Sequence, residues 1–170
     1  MFIDESGVLS NMTRLYGRTI GGNRIVDYVP GGHWKTTTII SSIRLNGSSE
    51  AMTVDGPLDS DVFKVYLSEV LCPNLKPGDI VIADNLSSHK VSGVEALVRG
   101  KGAEIWYLPP YSPDLNPIEK MWSKIKAILR KLKARTREEL DQAISEAFNA
   151  VSIADAQGWF SSCGYQLIQS

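Results

Sequence analysis

The order of strand-like and helix-like segments predicts an α/β domain with one mixed, five-stranded sheet and helices on its faces. Three strand patterns come first and are joined by turn signals, which indicates an antiparallel meander. Strands then alternate with helices, which is typical of parallel strands joined by crossover connections. With 170 residues, 43% of them hydrophobic, the chain can bury a sizeable core, and residues 1–170 are interpreted as a single domain.

The first third of the chain carries the meander. Residues 2–5 form a short first strand, and residues 24–29 are a weaker strand candidate. Residues 34–45 are rich in Thr and Ile, as strands are. Asn46-Gly47 is a strong hairpin signal and leads into a returning strand over residues 51–54.

Two further strands are predicted in the second half of the sheet. Residues 80–83 are a short apolar run bounded by turn residues, which is typical of a central strand buried on both faces. Residues 103–108 form the last strand and run into a proline-rich loop. The strand over residues 80–83 is followed at once by Asp84 and Asn85, and open α/β sheets place their chemistry at such strand ends.

Four helices follow from the spacing of apolar residues and from capping signals. Their predicted spans are 62–71, 91–99, 117–132 and 137–151. Asp59 or Ser60 can cap the first, and Thr136 with Glu139 forms a capping box for the last. The aromatic tail from Ile153 onwards is expected to pack back on the domain.

The segment PPYSPDLNPIEKMWSKIK, residues 109–126, is the most informative stretch of the chain. Its prolines stiffen the loop, because each fixes its own φ and pushes the preceding residue out of the helical region. Asn116 suits the N-cap of the following helix, Pro117 its first position and Glu119 its third, near the positive end of the helix dipole. Trp122 falls on the apolar face and is assigned to the core. A capping glutamate on an ordinary helix is the plain alternative for Glu119.

Three carboxylates from separate elements can converge on one point. Asp4 lies on or at the end of the first strand, Asp84 ends the buried strand and Glu119 starts the third helix. Oxygen ligands of this kind suit Mg²⁺ or Mn²⁺, and two such ions can activate a water or a 3′-hydroxyl against a phosphodiester. Spacing alone leaves the other acids open as ligands: Glu5, Asp55, Asp59 and Asp114.

Other classes of site find little support. The chain has no P-loop and no GxGxxG pattern, and its two histidines offer no nucleophilic triad. Cys72 and Cys163 are far apart, which argues against a zinc site and a disulfide framework and fits a reducing compartment. No apolar run approaches a membrane span and no signal peptide opens the sequence, so a cytoplasmic protein without membrane partners is expected.

A basic stripe follows Glu119 along the third helix. Residues 118–137 hold eight basic side chains and one acid, while the whole chain has a net charge of −1. Lys126, Arg130 and Lys133 recur on the side of the helix that carries Glu119. Together with Lys120 they predict a surface for a DNA backbone, and a merely solvated helix face remains an equal alternative.

Three motifs give the chain a family resemblance. They are FIDES at residues 2–6, IVIADNLSSHK at 80–90 and YLPPYSPDLNPIEKMWSKIK at 107–126. In this order, with thirty-four residues between Asp84 and Glu119, they resemble the catalytic domain of DDE-type transposases of the mariner-related insertion-sequence group. The resemblance implies a ribonuclease H-like fold, with Asp4, Asp84 and Glu119 as the catalytic, metal-binding triad for two Mg²⁺ or Mn²⁺ ions.

The resemblance also implies an activity and its partners. The expected reaction is metal-dependent DNA strand cleavage at transposon ends, followed by strand transfer into target DNA, by a homodimer on double-stranded DNA. Asn85, His89 and Asn116 are expected to support the site: Asn85 by orienting Asp84 or a water, His89 by positioning a phosphate, and Asn116 by capping the helix.

The group usually carries an upstream helix-turn-helix region, which this sequence lacks. A separate polypeptide is therefore expected to recognise the transposon ends. Two alternatives stay open. One is a non-catalytic DNA-binding or assembly remnant of a transposase, and the other is a different ribonuclease H-like nuclease, acting on RNA–DNA hybrids or branched DNA.

Overall fold

The computed structural model describes residues 1–31, 35–86, 89 and 92–165, and one sheet organises them. Its strand order is β3-β2-β1-β4-β5. The strands are β1 (Phe2–Leu9), β2 (Thr36–Ile43), β3 (Ala51–Asp55), β4 (Ile80–Ala83) and β5 (Glu104–Tyr107). The β1–β2 and β2–β3 pairs are antiparallel, whereas β1–β4 and β4–β5 are parallel. The predicted five-stranded mixed sheet, with its meander first, is thereby confirmed.

The helices follow the predicted order, with one addition. They are α1 (Ser60–Val65), α2 (Val94–Arg99), α3 (Pro117–Leu132), α4 (Arg137–Asn149) and α5 (Ile153–Ser162). Asp59 caps α1, which continues as a π-helical turn over Tyr66–Leu71, and Thr136 with Glu139 caps α4 as predicted. None of the helices in these described ranges combines the length and apolar character needed to cross a bilayer.

The additional helix α5 forms because Ser152 and Asp155 make a second capping box, which the sequence analysis overlooked. Its Phe160 and the following Tyr165 pack edge-on against Phe2 of β1, so the tail does return to the domain as expected.

One predicted boundary changes and one predicted strand is absent from the described residues. β1 is longer than residues 2–5, because β2 pairs with it along its whole length from Phe2 to Leu9. The strand candidate at residues 24–29 is wrong: this segment is irregular and joins none of the five strands of the sheet. The predicted strand start at Trp34 and helix start at Val91 lie outside the described residues.

Two apolar clusters hold the sheet between its helices. Phe2 and Val8 of β1 pack on the side of α3, α4 and α5, whereas Ile3 packs on the side of α1 and α2. Each fully buried Ile, Leu or Phe contributes about 1.5–3 kcal/mol to the free energy of folding. Because strand side chains alternate between faces, Asp4 shares the α3 side with Phe2, and Glu5 shares the opposite side with Ile3.

Candidate active site

Asp4 lies inside a central strand, not at a strand end. Its neighbours pair with β2 on one side and with β4 on the other, and only 7% of the residue is exposed. The indole Nε1 of Trp122 in α3 donates a hydrogen bond of 3.1 Å to Asp4 Oδ2. Trp122 is itself buried in the core, as predicted, and it also fixes the orientation of this carboxylate.

Asp84 follows β4 directly, and the register of the sheet brings it beside Asp4. Ile3 of β1 pairs with Ala83, the last residue of β4, in a parallel ladder. Asp4 follows Ile3 on β1, and Asp84 follows Ala83 directly after β4. Strands in a sheet lie about 4.8 Å apart, so the sheet itself delivers the two carboxylates to the same level.

Glu119 is delivered by the proline-rich loop to the first turn of α3. Pro117 occupies the first helical position, as predicted, and Glu119 is exposed. Asn116 holds the N-cap position, but its side chain makes no capping hydrogen bond, which corrects the prediction. The Glu119 N–H bonds to the Asn116 backbone carbonyl instead, at 3.3 Å. Asn116 is 4% exposed, and its Oδ1 has no hydrogen-bond partner in the described part of the chain.

Asp84 and Glu119 line the same cleft of about 440 Å³. Asn85 and Leu86 line it beside Asp84, and residues 108–113 of the proline-rich loop form the opposite wall. Tyr111 stands fully exposed on this wall with a positive φ of 57°.

The carboxylates around the cleft interact electrostatically. Burial is the main cause that raises the pKa of Asp4 to about 7, and the carboxylates of Glu5, Glu119 and Asp84 raise it further. Burial and neighbouring negative charges both disfavour the ionised form of this carboxyl. In the described ranges, no three His, Cys, Asp or Glu side chains are already gathered at metal-binding distances.

His89 lies behind Asp84 and is completely buried. Its Nδ1 is 2.6 Å from Asp84 Oδ1, and its Nε2 is 3.0 Å from Glu5 Oε2. Burial by itself lowers the pKa of His89, but the Asp84 and Glu5 carboxylates outweigh burial and raise the pKa to about 9. Because its ring is buried, His89 does not reach a phosphate in the cleft, contrary to the expectation.

The parts played by Trp122 and Glu5 were not predicted from the sequence. A buried tryptophan needs an acceptor for its N–H, and Trp122 stands one helical turn after Glu119, which was the available signal. Glu5 was left as one of several acids, although strand alternation already separates it from Asp4.

The predicted DNA-contacting side chains divide into two pairs. Lys120 donates to Ser162 Oγ at 2.5 Å, and Lys133 pairs with Asp27 at 2.5 Å. Lys126 and Arg130 line a groove beside β1, and neither has a hydrogen-bond or ion-pair partner among the residues that the structure describes. Only the second pair is therefore ready to receive an anion without breaking a contact.

One protein-family model matches most of the chain. The family model described as DDE superfamily endonuclease matches residues 1–141. No curated protein sequence matches closely enough to count as a relative.

Solved structures of the Mos1 mariner transposase are similar at the level of the fold. The paired-end complex with Mn has a TM-score of 0.70 and 17% identity, over 95% of this chain and 51% of that chain. The paired-end complex with the left transposon end has a TM-score of 0.68 and 15% identity, over 95% and 51%. The present chain thus spans about half the length of these relatives.

The fold of the described residues is therefore the ribonuclease H-like fold of these transposases, as the resemblance implied. The match of the family model over most of the chain is independent of that structural similarity. The chain belongs to the DDE superfamily endonucleases.

Proposed function

We propose that this chain is a transposase catalytic domain that cleaves DNA strands at transposon ends and transfers them to target DNA. The observation that carries the proposal is the cleft between Asp84 and Glu119, with Asp4 behind it, in a DDE-family chain. Open carboxylate clefts of this kind suit phosphodiester chemistry assisted by divalent cations. The similarity to Mos1 complexes with transposon-end DNA supports this choice of substrate.

The donor set fits Mg²⁺ or Mn²⁺. Asp4, Asp84 and Glu119 offer hard oxygen ligands, and burial together with the neighbouring carboxylates raises the pKa of Asp4. Related Mos1 complexes contain Mn or Mg, which supports a divalent ion here. We extend the proposal to two ions, which when bound supply charge neutralisation at the phosphate and acidify the attacking hydroxyl.

The chain's own residues hold and orient the reactants. Trp122 keeps the Asp4 carboxylate turned towards α3, and Asn85 lines the cleft where it can orient Asp84 or a water. A DNA backbone bound along α3 would contact Lys126 and Arg130 without displacing any partner that the structure describes. Lys120 and Lys133 join that contact after exchanging their present partners.

The partners follow from the same proposal. Double-stranded DNA is the substrate, and cutting paired ends requires a homodimer.

Nicking of supercoiled plasmid DNA in Mn²⁺ tests the activity without knowledge of the transposon ends. Wild-type chain should convert the plasmid to open circles, and Asp84→Asn and Glu119→Gln should each lose more than about 100-fold of the rate. Asp114→Asn is the matched control, because Asp114 is an exposed carboxylate on the same loop. Nicking that survives in Asp84→Asn and Glu119→Gln would refute the assignment of these residues.

The same preparation separates the alternatives. Retained DNA binding without any nicking would favour the non-catalytic remnant. Faster cleavage of RNA–DNA hybrids or branched DNA than of plain duplex would favour another ribonuclease H-like nuclease.

A further inference from the structure

Contacts of both the ring and the backbone hold His89 in place. Its ring is stacked on Phe63 at 4.4 Å between centroids and 28° between planes. Its backbone N–H bonds to the Leu86 carbonyl at 3.2 Å, and its carbonyl accepts the Tyr107 hydroxyl at 2.9 Å. The ring therefore occupies one fixed position behind the cleft.

The two ring nitrogens connect two carboxylates from different strands. Nε2 faces Glu5 of β1 and Nδ1 faces Asp84 at the end of β4, in a close ion pair whose N–H is not aligned as in a regular hydrogen bond. Asp84 Oδ1 also accepts the backbone N–H of Leu86 at 3.1 Å. One oxygen of Asp84 thus accepts a backbone hydrogen bond and also contacts the imidazole.

We propose that His89, supported by Glu5, is a positioning residue that sets the carboxylate plane of Asp84 for ion binding. This inference rests on the proposed function, since it assumes that Asp84 is an ion ligand. The terminal torsion of an aspartate is broad, so a carboxylate without a fixed neighbour samples many orientations. Partners behind a metal ligand remove that freedom, and their loss typically weakens metal affinity by 10–100-fold.

The burial of the ring excludes a direct role in the reaction. His89 has no exposed surface and so cannot touch DNA in the cleft. Glu5 lies on the face of the sheet opposite Asp4, and its contact with Nε2 prevents the ring from turning away from Asp84. Glu5 acts through His89.

Two conservative substitutions separate the contacts of the ring. The amide nitrogen of asparagine can replace Nδ1 and reach Asp84, whereas that of glutamine replaces Nε2 and reaches Glu5. We therefore expect His89→Asn to keep the Mn²⁺ concentration for half-maximal plasmid nicking within a few-fold of wild type. His89→Gln and His89→Ala should raise that concentration about 10–100-fold and recover most of the rate at saturating Mn²⁺.

A purely structural role predicts a different pattern. Val98→Ala, a cavity in the same apolar cluster as Phe63, is the control that lowers the melting temperature and leaves the half-maximal Mn²⁺ concentration unchanged. If the three His89 variants behave like this control, the positioning proposal is wrong.

Mn²⁺ calorimetry on the same proteins keeps the two proposals apart. If wild type binds Mn²⁺ without nicking, the affinities of the His89 variants still decide the positioning role. If wild type neither binds Mn²⁺ nor nicks DNA, both proposals fall. Normal activity with equal Mn²⁺ affinity in His89→Gln and wild type overturns the positioning role alone.

Discussion

Asp4 and Glu5 are neighbours on β1, yet they lie on opposite faces of the sheet in opposite electrostatic surroundings. Glu5 faces the buried His89, whose raised pKa of about 9 makes it a cation at neutral pH. Asp4 faces the neutral indole of Trp122 and the carboxylates of the cleft, and no cationic side chain among the described residues contacts it. His89 supplies a positive charge to Glu5 and to one oxygen of Asp84, whereas no cationic side chain among the described residues contacts Asp4. Asp4 is therefore the carboxylate at which an added cation is needed.

The largest effects are expected when the charge of Asp4 is removed. We expect Asp4→Asn to reduce plasmid nicking by more than about 100-fold, because an ion ligand is lost. The same change should raise the stability of the metal-free protein near neutral pH by about 1 kcal/mol or more, or at least about 2–4 °C in melting temperature. Nicking assays measure the activity, and thermal unfolding in EDTA measures the stability. A variant less stable than wild type would contradict the view that the buried, like-charged surroundings of Asp4 destabilise its ionised form.

The pH dependence of stability sharpens the comparison. The pKa of Asp4 rises from an ordinary 3.8 to about 7 on folding, so the folded chain binds this proton more tightly than the unfolded chain. The stability of metal-free wild type relative to Asp4→Asn should therefore be highest below about pH 4 and fall as the pH rises to about 7. Urea unfolding of both proteins across this range measures the difference.

Saturating Mn²⁺ provides the control for that experiment. A bound cation supplies the missing counter-charge and should flatten the fall in stability of the wild type. Parallel curves for wild type and Asp4→Asn in EDTA would show that Asp4 does not titrate between these two pH values.

Removing only the donor to Asp4 should have a smaller effect. Trp122→Phe keeps an aromatic ring in the core but deletes the N–H that bonds to Asp4 Oδ2. We expect a loss of about 1–3 kcal/mol in the free energy of unfolding and roughly a tenfold slower nicking rate. Trp159→Phe is the matched control, because Trp159 packs on the same core and its indole bonds to no described residue. Equal losses of nicking in both variants would contradict a role for the hydrogen bond.

Much of this arrangement was visible in the sequence, because local rules decide it. Alternation on β1, the apolar run before Asp84 and the proline-rich start of α3 specify where each carboxylate is delivered. Helix α5 was not predicted, because the tail was interpreted only from its aromatic residues and the capping box at Ser152 was overlooked.

Contacts between distant elements could not be predicted from the sequence. The Trp122–Asp4 bond and the His89–Glu5 contact each join residues more than eighty positions apart. Neither periodicity nor capping specifies such pairs. The burial of Asn116 belongs to the same class, since its N-cap position was predictable and its unused side-chain oxygen was not.

The basic stripe of α3 extends the contrast between compensated and uncompensated charge, with the smallest expected effects. Lys126 and Arg130 have no partner in the described part of the chain, whereas Lys133 is held by Asp27. A phosphate contact releases counterions, so its loss reduces the slope of log affinity against log salt by about 1. We expect that reduction, with a several-fold loss of affinity, for Lys126→Ala and Arg130→Ala, measured by fluorescence anisotropy on a labelled duplex. Lys133→Ala should change the slope less, because its charge is already neutralised within the chain. Equal slopes for all three variants and wild type would identify the stripe as a solvated helix face.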